Sequence, residues 1–143
     1  MKKVFRAEIL ISILALIGLI DSIYLTIHHY TAKPVPCSIV EGCEKVLTSQ
    51  YATIFDIPIA IFGAIAYALA LFLAILIFYG YERLWLLLLL QTLLMAGFSA
   101  WLVYLQAFVI EAFCQFCLLS AATSTFIFLI ASLKNLRNLK PKN

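Results

Sequence analysis

The chain has 143 residues, of which 65 % are apolar and 12 % charged, and its formal net charge is +3. Soluble domains run at about 45–50 % apolar and about 25 % charged, so this composition excludes a soluble globular enzyme. The basic excess is too small, and too confined to the ends, for nucleic-acid binding. What remains is an all-α membrane protein. Four spans of roughly 20 residues, each crossing about 30 Å of hydrocarbon, fill the length as a four-transmembrane-helix bundle in one integral membrane domain, residues 1–143.

The first apolar run covers about residues 7–29, with Glu8 near its start and Asp21 inside it. Lys2, Lys3 and Arg6 ahead of it give it the look of a signal peptide. It is long for one, and no small-x-small cleavage site closes it, so a retained span is expected. An acid inside a span is costly and is a functional candidate by default; the plainer expectation for Asp21 is a hydrogen bond to Ser22 or Tyr24 partners across the bundle. His28 and His29 close the run as interfacial residues, with proton transfer as their other reading.

The outer segment, residues 30–56, is the only long connection, and loops of this length are usually functional or disordered. It begins with Pro34 and Pro36, which break a helix and favour extended backbone. Cys37 and Cys43 follow, then Glu44-Lys-Val-Leu-Thr-Ser-Gln-Tyr51. Cys43, Val46, Leu47 and Gln50 fall at i, i+3, i+4 and i+7, which predicts a short amphipathic surface helix with Cys43 facing inward. Ser49, near its end, is placed to bond a ligand carbonyl or to be solvated.

The remaining runs, residues 57–79, 84–110 and 113–133, carry no charge, and Glu111 lies in the short turn between the last two. Ala60, Gly63 and Ala64 suggest close helix packing in the second span. In the third, Tyr104 and Gln106 lie toward the outer end, and Gln106 is too polar to face lipid comfortably. Trp85 and Trp101 are expected as belt or packing aromatics. Of 10 Lys and Arg residues, Lys2, Lys3, Arg6, Arg83, Lys134, Arg137, Lys140 and Lys142 fall on one side. The positive-inside rule makes that side the cytoplasm. Both termini are then inside, and Lys33, Lys45, Glu41, Glu44, Asp56 and Glu111 are outside.

This topology puts Cys37, Cys43, Cys114 and Cys117 on the non-cytoplasmic face, where disulfides form and persist. Cys114-Gln-Phe-Cys117 opens the last helix with both sulfurs on one face, in the first turn, where free amides and the helix dipole stabilise a thiolate. Desolvation acts the other way. Two inert cysteines, or a tetraspan with purely structural disulfides, is the bland alternative. A four-thiolate zinc site is another, although the spacing of Cys37 and Cys43 is wider than zinc pairs usually use. Electrons reaching a membrane dithiol must leave again. With no GxGxxG and only 2 histidines, a lipid-soluble two-electron acceptor fits, namely a quinone of ubiquinone or menaquinone type.

These residues together resemble the vitamin K epoxide reductase family, in its short prokaryotic form without a fused thioredoxin-like domain. The resemblance rests on Gly18-Leu-Ile-Asp-Ser-Ile-Tyr-Leu-Thr26, Cys37-x5-Cys43 running to Ser49, Ile57-Pro-Ile-Ala-Ile-Phe-Gly63 through Tyr67, and Tyr104-Leu-Gln106 running into Phe113-Cys-Gln-Phe-Cys-Leu118. It implies a bundle around a quinone, capped by the loop helix. It also implies a thioredoxin-like extracytoplasmic partner feeding electrons to the loop pair, so that disulfide formation outside the cytoplasm is driven. Cys37 would face the partner, Cys43 would pass electrons to Cys114, and Cys117 would contact the quinone. Ser49 would lie near the quinone and Phe62 would form its wall, with Tyr104 and Gln106 as further quinone-site residues. Ala121 stands where vertebrate members carry tyrosine, which favours plain quinone reduction. Asp56 stands where prokaryotic members often have glycine. An unrelated four-helix periplasmic oxidase carries its CxxC in the first outer loop instead, which argues against that rival.

Overall fold

The structure is a computed structural model and describes residues 2–33, 36–37 and 42–140. Pro34, residues 38–41 and Lys142 lie outside the described residues, as do the side chains of Lys2, Lys3 and Arg6.

Four long helices form the bundle: α1 (Lys2–Thr31), α3 (Ile59–Phe78), α4 (Trp85–Tyr104) and α5 (Gln115–Leu139). A short α2 (Cys43–Leu47) sits in the first loop. Each long helix is apolar around most of its circumference, because backbone amides in lipid must be satisfied within the segment and the outward face meets hydrocarbon. Accordingly Ile13, Leu16, Ile20, Ile65, Phe72, Leu94 and Phe126 are exposed. The spans have the length and composition to cross a bilayer, and this is a multi-pass membrane protein.

α1 packs along α3 and α5, and α4 packs along α5. Small residues let the backbones approach: Ala15, Ala70, Ala74 and Ala131 are fully buried in one core with Ile11, Tyr67, Leu73, Ile77, Trp85, Leu88 and Ile127. Gly18 lies against the Tyr67 ring, where any side chain would collide. Gly63 faces Ser22 of α1, whose Oγ would be 3.1 Å from an added Cβ, so the expected close packing is present there. The Tyr67 hydroxyl donates to the Ser120 carbonyl (2.6 Å) and meets Thr123 Oγ1 (2.8 Å), tying α3 to α5 at mid-depth.

α5 continues past the expected end of the last span. Lys134 therefore does not sit on a solvated rim: it is buried, ion-paired with Glu8 of α1, and lies 4.1 Å from the Trp85 ring centroid. Trp85 is a packing aromatic, while Trp101 is half exposed.

The loop helix is shorter than its spacing predicts. Thr48 Oγ1 donates to the Glu44 carbonyl (2.6 Å) and Ser49 Oγ to the Val46 carbonyl (2.7 Å). Such local bonds compete with helix continuation, and Ser49 turns extended. Gln50 is consequently exposed rather than inward. The chain then forms a two-residue hairpin, β1 (Thr53–Ile54) against β2 (Ile57–Pro58). Phe55 and Asp56 both have positive φ, 51° and 64°. That is the signature of a type I′ turn, in which the second position favours Gly, Asn or Asp, and it accounts for Asp56 at a position where glycine would also serve.

Candidate functional site

The first part of the site is a meeting of two chain segments. Cys43 is the first residue of α2 and Cys114 the cap of α5. Both are buried, at 1 % and 0 % exposure, and with Val46 they form one cluster against which Cys37, Ile110, Phe116 and Cys117 pack. All four cysteines are thus in one place. Cys37 and Cys43 are joined as a disulfide, with Cα atoms 6.3 Å apart, while Cys114 and Cys117 are thiols. Cys37 is the half-buried member of its pair.

Gly42 makes the crossing possible. A Cβ there would lie 2.6 Å from the Phe113 carbonyl oxygen and 2.8 Å from its nitrogen, closer than carbon tolerates. From the other side, α4 ends in a π-helical turn, Leu105–Ile110, and Glu111 reverses the chain in left-handed conformation at φ 55°. The turn swings Gln106 inward, where its Oε1 accepts the Cys114 N–H (3.1 Å) and its carbonyl accepts the Ala112 N–H (3.1 Å). π-turns of this kind are frequent at functional sites. Gln106 is therefore inward, as its polarity required, and it braces the backbone of the cysteine turn.

Cys114 does not belong to the helix itself. Its backbone is extended, with φ −109° and ψ 120°, and no side-chain capping bond closes there. Its thiol is nevertheless lowered from the ordinary 9.0 to about 7. The largest cause is the Cys117 thiol, which donates toward its sulfur; the N–H groups of Cys117 and Phe116 act the same way. Burial and the charge of Asp21 oppose them. The donors, the Cys117 thiol first among them, thus outweigh desolvation at this sulfur.

Directly below lies a cavity of about 1060 Å³ bounded by all four long helices and roofed by α2 and the hairpin. It reaches Cys117 but not Cys114. Ser49, Phe62 and Gln106 line it; Tyr104 does not, being half exposed on the outer face of α4 and stacked on Phe108 at 5.1 Å. Ser49 spends its hydroxyl proton on the Val46 carbonyl (2.7 Å). His28 and His29 line the cavity, and His28 Nδ1 is 3.3 Å from the Lys33 carbonyl.

Asp21 also lines the cavity. It is 6 % exposed, and neither carboxyl oxygen has a hydrogen-bond partner among the described residues, so the expected bond to Ser22 or Tyr24 partners is not made. Gln91 is a lining residue that sequence reasoning passed over. Its Nε2 donates to the Ala66 carbonyl (2.7 Å) and its Oε1 is buried without a partner. The signal was available, since an amide inside an uncharged span faces the bundle for the same reason that Gln106 does.

The cavity meets the usual specification for a small-molecule site, with mostly apolar walls and a few polar groups, at the upper end of the common size range of about 300–1,000 Å³. A quinone ring and the first part of an isoprenoid tail fit that chemistry, and the buried unpaired oxygens of Asp21 and Gln91 are suited to groups that carry hydroxyl protons. The sequence model of the vitamin K epoxide reductase family matches residues 9–132.

Proposed function

The chain belongs to the vitamin K epoxide reductase family and is a thiol oxidoreductase of that type; from this premise we propose that it takes electrons from a thioredoxin-like extracytoplasmic protein and reduces a membrane quinone. The observation that carries the proposal is the clustering of all four cysteines over the cavity that only Cys117, of the inner pair, reaches. The chain acts as one integral membrane domain, with both termini cytoplasmic and the cysteines on the opposite face. The grouping of basic residues at the α1 start, the α3–α4 turn and the α5 end supports that orientation.

The chemistry is two rounds of thiol–disulfide exchange. A partner thiolate attacks Cys37 of the loop disulfide and releases Cys43; the partner's second thiol then resolves the mixed disulfide and leaves oxidised. Cys43, packed beside Cys114, attacks the inner disulfide at Cys114 and frees Cys117. Cys37 then closes on Cys43, expelling Cys114. A thiol held near 7 is a good leaving group for that last step, because lower-pKa thiols leave faster. The inner pair now holds both electrons; the bridged Cys37 and Cys43 beside the thiols of Cys114 and Cys117 support this reading. A quinone bound in the cavity supplies a two-electron, two-proton acceptor. Phe62 walls the cavity and the α2 roof limits water. Gln106 holds the Cys114 backbone so that its sulfur stays between Cys43 and Cys117.

The test is anaerobic mixing of the purified protein with a short-chain ubiquinone or menaquinone and a reduced thioredoxin-fold protein, followed by quinone absorbance. Quinone reduction should require all components and should vanish in Cys117→Ala. Full turnover by Cys117→Ala would remove the relay.

A further inference from the structure

We propose that Asp21 is a catalytic proton carrier that links the Cys114 thiol to the acceptor in the cavity, an inference that rests on the quinone-reduction reading above. Other ionisable or hydroxylic side chains deep in the bundle are paired, among them Glu8 with Lys134, Tyr67 with Thr123 and Ser124 with Ser99. Asp21 is not. It is 94 % removed from solvent by its 6 % exposure, both oxygens lack partners among the described residues, and it faces the cavity that Cys117 lines. Leaving a carboxyl buried and unpaired costs several kcal/mol at least, so a position that keeps one is a functional candidate. Gln91 Oε1 is the other unpaired oxygen on the cavity, but an amide has no proton to exchange.

The need for a carrier follows from the two thiols. When Cys114 and Cys117 join, they lose two electrons and two protons, and the two oxygens of the acceptor gain both. Cys117 lines the cavity and can deliver its proton directly. Cys114 is fully buried and does not line it, while Asp21 shares the cavity with Cys117, and Tyr24, one turn further along α1, packs on Phe116 between the two cysteines with ring centroids 5.3 Å apart. The Asp21 O–H breaks as an acceptor oxygen takes its proton, and the carboxylate then takes up the proton that Cys114 releases. The S–S bond forms, the acceptor leaves with both protons, and Asp21 ends as it began.

The experiment uses the full chain in lipid nanodiscs with a short-chain ubiquinone. Asp21→Asn should still bind the quinone by calorimetry, so that its rate is read at saturation. With the inner pair pre-reduced, its single-turnover rate should fall by about 10² or more, the usual worth of a positioned acid, and Asp21→Glu should recover most of it. Independently, the infrared difference spectrum of wild-type protein on quinone binding should contain a carboxyl C=O band that is missing from Asp21→Asn. A wild-type rate in Asp21→Asn overturns the carrier role, as does lost binding with the saturated rate intact. If Asp21→Asn does not fold, absence of any carboxyl band in the wild-type spectrum overturns it alone. Failure of wild-type protein to bind the quinone overturns the quinone reading itself, an outcome distinguishable from all of these.

Discussion

At Cys114, donors and burial pull in opposite directions and the donors win. The thiol stands at about 7 rather than 9.0, first because of the Cys117 thiol and then because of the amides of Cys117 and Phe116. A depressed thiol pKa means that the folded state holds this proton less tightly than the unfolded chain does. The associated stability is therefore full above about 9 and is lost as pH falls through about 7. The same ionisation sets reactivity, because the thiolate is the nucleophile. Thiolate absorbance of the reduced protein, minus that of Cys114→Ser, should titrate with a midpoint near 7; a midpoint at the ordinary thiol value would mean that Cys117 does not donate to Cys114. Two neighbouring polar side chains have structural duties that residue type alone does not disclose. Ser49 is committed to the Val46 carbonyl and Gln106 to the Cys114 N–H.

At the scale of elements, the relay depends on how α2 docks against the start of α5. That contact is a backbone crossing, with Gly42 over Phe113, and it brings Cys43 beside Cys114. Gly42→Ala would force the two segments apart, since the obstructing atoms are main chain and cannot rotate away. We expect transfer from the loop pair to the inner pair to slow by at least about tenfold, as misplacement of about 1 Å can cost a reaction about 10², while quinone reduction by a chemically pre-reduced inner pair stays at the wild-type rate. Equal loss in both assays would show that the crossing does not govern Cys43–Cys114 contact. The long helices were legible in the sequence because hydropathy and length carry that information, and the inward set of Cys43 and Val46 was legible in the helical spacing. The end of α2 at Leu47 was not, because Ser49 bonds back through its hydroxyl and its N–H onto the Val46 carbonyl, which a longer helix would have offered to Gln50. Nor was the π-turn at Leu105–Ile110, since nothing in an apolar run marks where one extra residue enters a turn. Tyr104 illustrates the consequence: depth placed it near the cysteines, but the side of the helix it occupies turned it away from the cavity.

Across the whole molecule, the bundle divides into an open half and a closed half. The open half holds the cysteines, the cavity and Asp21. The closed half is filled by Ile11, Ala15, Leu73, Ala74, Leu88, Ile127 and Ala131, and is pinned by Glu8, Lys134 and Trp85. The cavity lies at the same end of the bundle as the cysteines, with Cys117 on its wall and α2 over it. Glu8 and Lys134 join the first and last helices across the closed end, with both side chains under one-tenth exposed. Removing one partner leaves the other charged and buried, which typically costs about 3–5 kcal/mol, whereas replacing both by apolar residues of similar size is often neutral. Glu8→Gln and Lys134→Met should therefore each lower the unfolding midpoint in detergent substantially, and Glu8→Leu combined with Lys134→Met should recover most of the loss. The double variant should still reduce quinone, because this pair lies at the end of the bundle away from the cysteines. Additive losses in the double variant would mean that the two side chains stabilise the bundle separately rather than as a pair.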